Sequence, residues 1–160
     1  MKNASCLLVL LLVTLTGFSQ QVKKNGTIYI EHPNLVVVNK SVEAYLKNDP
    51  VANKKYFADT AKVWGTGMYS TIKIDEALKM WSSDFDYYDD IKLKQFGYPD
   101  YLEYNKDNVK VVQSWWIWSG KSKKTGKEVK VNFVQFDFFN SAGKIVMESS
   151  YGDFYKIVKE

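Results

Sequence analysis

Three long apolar strands crowd into the last third of this chain, and they constrain its fold more than any other feature. They run Val109–Ser119, Glu128–Phe139 and Lys144–Tyr155, each rich in β-branched and aromatic residues. The first link, Gly120 to Gly126, is polar with a glycine at each end. The second, Asn140-Ser-Ala-Gly143, suits a type I turn followed by a left-handed glycine. Consecutive strands with short links predict an antiparallel meander. Alternation then puts Trp116 and Trp118 on one face and Trp115 on the other.

Upstream the pattern turns helical. Pro33 suits a first helical position, and Leu35, Val38, Val42, Tyr45 and Leu46 recur at helical spacing through Asn48. Asp49-Pro50 restarts the chain with an N-cap and a first-turn proline, predicting a short second helix from Val51 to about Phe57. Ala61–Trp64 alternates as a strand. Ile74, Ala77, Leu78, Trp81, Phe85 and Tyr88 share one face of a third helix, although Asp89-Asp90 at its end opposes the helix dipole and favours an earlier stop. Ile91–Phe96 alternates as another strand, and residues 98–108 either extend it or cap an opening. Residues 21–32 read as a loose arm. The fold class is therefore α+β, with the helical material preceding the sheet.

Residues 1–20 read as a signal peptide: a lysine-bearing start, the apolar run Leu7–Leu15 too short to span a bilayer, and small residues before Gln21. The expected product is exported, either secreted or periplasmic, as a single domain over residues 33–160. Cys6 is the only cysteine and leaves with the leader, so the domain relies on packing rather than disulfides. No second apolar run is long enough to cross a membrane.

All 22 basic residues are lysine. Nucleic-acid and phosphate recognition lean on arginine's planar fork, so this composition argues against both. The only histidine, His32, precedes the first helix, which with no mature cysteine leaves no hydrolytic triad and no transition-metal set. No cofactor is expected. Acid–base work by Asp, Glu or Tyr remains open. The polar candidates are Gln135, Asp137, Ser149, Tyr151 and Asp153. A three-residue loop with Gly143 left-handed pairs Asp137 with Met147, Gln135 with Ser149, Phe133 with Tyr151 and Val131 with Asp153, on one face. A four-residue loop reverses that parity and splits the cluster across both faces. The same face also reads as partly wetted sheet with no ligand. Trp115, Trp116 and Trp118 read as core, as a dimer contact or as a sugar-stacking surface, the last without a matching set of hydroxyl-binding side chains. Asn25-Gly-Thr27 and Asn39-Lys-Ser41 fit the glycosylation tripeptide, which is frequent by chance.

The order of these pieces resembles the NTF2-like superfamily, particularly its SnoaL-like branch. Tyr56-Phe-Ala-Asp59 precedes the first strand; Trp118-Ser-Gly120 with Thr125-Gly126, and Gly143-Lys-Ile145 followed by Tyr151-Gly-Asp153, mark the later hairpins. The likeness covers roughly Asn34 to Val158. It implies a cone in which a strongly bent, mostly antiparallel sheet wraps three N-terminal helices, with a pocket at the open end and dimerisation through the outer sheet face. Where ketosteroid-isomerase-like members place a base carboxylate, this chain has Trp64-Gly-Thr-Gly67, and the histidine of dehydratase-like members has no counterpart on the pocket walls. The resemblance and strand parity together imply a pocket lined by Trp64, Met68, Tyr69, Trp81, Phe85, Trp116, Gln135, Asp137 and Tyr151. The expected ligand is a small apolar or aromatic molecule, bound without a conventional catalytic set. The alternatives are an isomerase, cyclase or lyase using Asp137 or Asp153 with Tyr151, and a non-catalytic dimeric interaction module.

Overall fold

A computed structural model describes residues 23–157. Residues 1–22, with the expected leader and Cys6, lie outside the described residues. The segment expected as a loose arm carries a strand, β1 (Gly26–Tyr29), which pairs antiparallel with β5 (Asp100–Tyr104). That pairing also resolves residues 98–108: they form β5 and a single 3-10 turn, Lys106–Asn108.

The helices start where their caps predict. In α1 (Pro33–Leu46), Pro33 sits in the first turn, and the His32 ring caps the helix by accepting the Asn34 N–H at 3.1 Å. In α2 (Pro50–Lys54), Asp49 accepts the Ala52 N–H at 2.8 Å. The expected third helix is broken. α3 (Ile74–Ser82) stops, a short turn α4 (Asp84–Tyr87) follows, and Tyr88 already begins β4 (Tyr88–Gln95). Asp90 adopts φ 53° where the β4 register slips between Asp89 and Lys92, so the acidic pair sits in a bulge rather than at a helix end.

The remaining strands are β2 (Phe57–Gly65), β3 (Ile72–Lys73), β6 (Lys110–Ser122), β7 (Glu128–Phe139) and β8 (Ile145–Gly152). They form one eight-stranded sheet in the order β1-β5-β6-β7-β8-β2-β3, with β4 also on β6 beyond β5. Strands β6, β7 and β8 make the expected antiparallel meander, and among the described residues only the β2–β8 pair is parallel. Register slips in the β2–β8, β4–β6 and β7–β8 pairs introduce bulges, which bend strands and raise local twist. The sheet curls without closing, and the helices lie against its concave face.

That face holds the core. Val112, Trp116, Trp118 and Val131 are buried on it, and Val112 and Trp116 join Leu35 and Val38 of α1 and Ile74, Ala77 and Leu78 of α3 in one cluster. Burying each tryptophan is worth a few kcal/mol at ~25 cal/mol per Å². Trp115 lies on the convex face, as alternation requires. The glycine of β6 is a packing requirement: a Cβ on Gly120 would meet the Trp118 ring at 2.9 Å and Tyr88 Cβ at 3.1 Å.

Candidate functional site

The β7–β8 hairpin decides which polar groups enter the cone. Its turn is the three-residue loop that Gly143 favours: Gly143 has φ 70°, and Asn140 and Lys144 bond across the loop. Phe139 accordingly pairs with Ile145. One residue later Phe138 pairs with Met147, so Val146 is an extra residue on β8. Beyond this bulge the parity is reversed. Asp137 faces Glu148 rather than Met147, Gln135 faces Ser150 rather than Ser149, and Phe133 faces Gly152 rather than Tyr151.

Two inward rows cross the sheet as a result. The first reads Val112, Asp137, Glu148, Val63, and the second Ser114, Gln135, Ser150, Gly65. Two carboxyls thus sit side by side on the concave face, flanked by valines. Asp137 is fully buried and Glu148 is 7% exposed. Gln135 Nε2 donates to Asp137 Oδ2 at 2.9 Å. The other oxygen, Asp137 Oδ1, has no hydrogen-bond partner among the described residues.

Burial dominates their titration. It pushes the Asp137 carboxyl up to about 7, against a smaller opposing effect of the Gln135 amide. It holds the Glu148 carboxyl well above the ordinary carboxylate range, with the neighbouring Asp137 charge adding to the rise. Two desolvated carboxyls one strand apart cannot both ionise cheaply, so the pair retains a proton through neutral pH.

Glu148, Gln135 and Ser150 form the floor of a cavity of about 270 Å³. Val63, Leu93, Trp118 and Phe133 line it from the sheet, and Met80 and Trp81 from α3. A chain of hydrogen bonds fixes one wall: Trp118 Nε1 donates to Tyr45 Oη at 2.8 Å, and Tyr45 Oη donates to Asp84 Oδ2 at 2.9 Å. Burial, with Asp84 beside it, raises the Tyr45 phenol far above its usual range, so it stays neutral and acts as a donor. Ser41 Oγ donates to Asn53 Oδ1 at 2.7 Å nearby. Phe154 and Ile157, after β8, stand at the rim. Among the described residues no three His, Cys, Asp or Glu side chains converge as a metal site requires, and no helix is long and apolar enough to cross a membrane.

The residues expected to line the pocket divide clearly. Trp81 and Gln135 border the cavity, and Trp64 and Met68 border it near its mouth, where Trp64 Nε1 donates to Met68 O at 3.1 Å. Asp137 lies immediately behind the floor. Trp116 is packed in the core with its Nε1 donating to Ser114 Oγ at 2.8 Å. Phe85 packs edge-on against Tyr45 instead, Tyr69 is fully exposed, and Tyr151 lies on the convex face between Trp64 and Phe136. Asp153 is at the surface, 3.2 Å from Lys156. Ser149 points away with Tyr151. The expected grouping of Asp137 with Tyr151 and Asp153 is therefore not formed, because the Val146 bulge turns their strand over.

Glu148, Ser150, Tyr45 and Asp84 were not legible as site residues. Tyr45 was visible only as a helical core position, and Glu148 sat on the wrong parity for an unbulged hairpin. Nothing in the local composition marks Val146 as the extra residue. His32 does not line the cavity; it is stacked on Tyr101 with ring centroids 3.6 Å apart.

No family model matches the sequence, and no curated protein matches it either. Solved structures do match in shape. IdmH from Streptomyces antibioticus, described as a candidate polyketide cyclase, superposes with a TM-score of 0.64 at 13% identity, covering 78% of this chain and 95% of that one. A candidate SnoaL-like polyketide cyclase from Jannaschia sp. CCS1 gives 0.63 at 10% identity, covering 79% and 92%. An NTF2-like protein from Burkholderia thailandensis E264 gives 0.61 at 18% identity, covering 79% and 95%. The curled sheet around its helices and the agreement with these structures establish that this chain has the NTF2-like cone fold.

Proposed function

We propose that the protein binds a small, predominantly apolar organic molecule in the cone, and that the Asp137–Glu148 pair exchanges a proton with it. The carrying observation is the pair itself: two carboxyls, buried by the fold at the floor of an apolar cavity, one of them bordering the open space. A carboxyl whose proton leaves near neutral pH is suited to general acid or base work, and burial is the usual way of tuning one. In this reading Glu148 is the group that meets the ligand. Asp137 sets the proton's free energy from behind, and Gln135 orients Asp137. Trp81, Trp118 and Phe133 supply the apolar contact. The reactions in reach are proton shifts next to a carbonyl, as in isomerisation or cyclisation. The candidate cyclases of the same fold are compatible with this and do not identify a substrate.

The reading extends to the setting. The protein acts outside the cytoplasm after removal of residues 1–20, and it self-associates through the convex face, where Tyr151 stays half exposed beside Trp64 and Phe136. The test is a panel of small ketones, enones and aromatic compounds, screened by thermal shift and then by hydrogen–deuterium exchange at the ligand's acidic carbons. Binding with exchange that is lost in Glu148→Gln supports the reading. Binding with no exchange in the wild type reduces the protein to a carrier, and no binding to any compound refutes the proposal.

A further inference from the structure

The ionisable side chains of the cavity are acidic or phenolic, although the chain as a whole is basic. The chain carries a formal net charge of +4, all of its basic residues except His32 being lysine, yet no lysine or histidine is among the described residues that line the cavity. Its ionisable groups are Glu148 from β8, Asp84 from α4 and the Tyr45 phenol from α1, with Asp137 from β7 behind Glu148. Strands β2, β4 and β6 and helices α2 and α3 bring only uncharged side chains to it. Glu148, 7% exposed as a residue, borders the open space, and no hydrogen bond joins its carboxyl to a described residue. Around it stand the rings of Trp81, Trp118, Phe133 and Tyr45.

These features select among ligands. A carboxylate or phosphate ligand would enter a low-dielectric space holding carboxyls and no compensating cation, at a large desolvation cost. A cation meets the reverse: an acidic partner without a hydrogen bond of its own, and aromatic faces whose quadrupoles attract positive charge. The volume, about 270 Å³, lies at the lower edge of the ~300–1,000 Å³ typical of ligand pockets, which restricts the guest to a compact molecule.

We infer that the cavity takes a small organic cation, an amine carried as its ammonium form or a quaternary ammonium, seated on Glu148 between the aromatic rings. This rests on the small-ligand reading above and names the class of ligand. Seating a cation beside the pair favours its ionised form, so a proton leaves the Asp137–Glu148 pair for solvent as the cation enters. No bond to the ligand forms or breaks, and the incoming positive charge replaces the departing one. Binding then strengthens as pH rises from about 5 to about 7.5, by up to tenfold per unit for one proton released.

Isothermal titration with three molecules of nearly one shape provides the test: choline, its uncharged isostere 3,3-dimethyl-1-butanol, and the anion 3,3-dimethylbutyrate. Choline should bind at least tenfold more tightly than the alcohol, and the anion should not bind. Repeating the choline titration at pH 6.5 in two buffers of different ionisation enthalpy should show proton release, and Glu148→Gln should bring choline down to the affinity of the alcohol. Circular dichroism checks that the variant folds, and Asp153→Asn, which removes a surface carboxyl outside the cavity, should retain the preference for the cation. If the alcohol binds as well as choline, or if choline binds with no proton release, the cation assignment is overturned while a small-ligand pocket survives. Binding of neutral ketones without binding of choline overturns it in the same way. If nothing binds, both readings fall.

Discussion

Asparagine at position 137 isolates the buried proton from everything else in the cavity. The substitution keeps shape and removes ionisation: the Gln135 amide can still donate to the remaining oxygen, and the new NH₂ occupies the place of the oxygen that has no partner. In the folded wild type the Asp137 carboxyl titrates at about 7, against an ordinary value of 3.8. Between those two pH values the folded state holds more protons than the unfolded state, so stability falls as pH rises through the window and levels off above it. At ~1.4 kcal/mol per tenfold, the full displacement corresponds to on the order of 4 kcal/mol, shared with Glu148 because the two carboxyls titrate together. Asp137→Asn should therefore gain stability relative to the wild type as pH rises from about 4 to about 8. The wild type itself should be most stable on the acidic side of that window. Urea unfolding followed by tryptophan fluorescence at half-unit pH steps measures this directly, with a constant m-value as the check on two-state behaviour. A difference between the two proteins that varies by less than ~1 kcal/mol across the window refutes the buried, coupled carboxyl pair.

Three other substitutions probe the frame around the site. Tyr45→Phe leaves the Trp118 indole N–H without its acceptor, so unfolding should show a loss of ~1–3 kcal/mol. Gly152→Ala places a Cβ 2.7 Å from Phe133 Cβ and 2.9 Å from Asn132 O, and a loss of ~1–3 kcal/mol from overpacking should appear in chemical denaturation. His32→Ala removes both the cap of α1 and the ring stacked on Tyr101; thermal melts should report a loss of ~1–2 kcal/mol, with His32→Asn restoring the cap's share.

Much of the fold was legible because its signals are local. The proline and cap positions fixed the starts of α1 and α2, since a missing N–H and a side-chain acceptor act within one turn. The β6–β7–β8 meander followed from β-branched and aromatic runs joined by glycine turns. The three-residue loop at Gly143 followed from that glycine's tolerance of positive φ. Two elements were misread for a tertiary reason. Residues 26–29 have little pattern of their own and become a strand because β5 offers an unpaired edge. Phe85 and Tyr88 continue the helical spacing, yet Tyr88 leaves the helix to pair with Ser122 of β6.

By itself the sequence determined the class of fold, the order of most of its elements, an aromatic core, and a supply of only one histidine and one cysteine. Tertiary structure decided which acid faces the cavity. Side chains in a strand alternate with a period of two, so one extra residue at Val146 exchanges every inward position after it for an outward one. Bulges form where a long sheet must curl around its helices, and that demand belongs to the whole sheet rather than to any short stretch of residues. Glu148 is inside, and Tyr151 outside, for that reason alone.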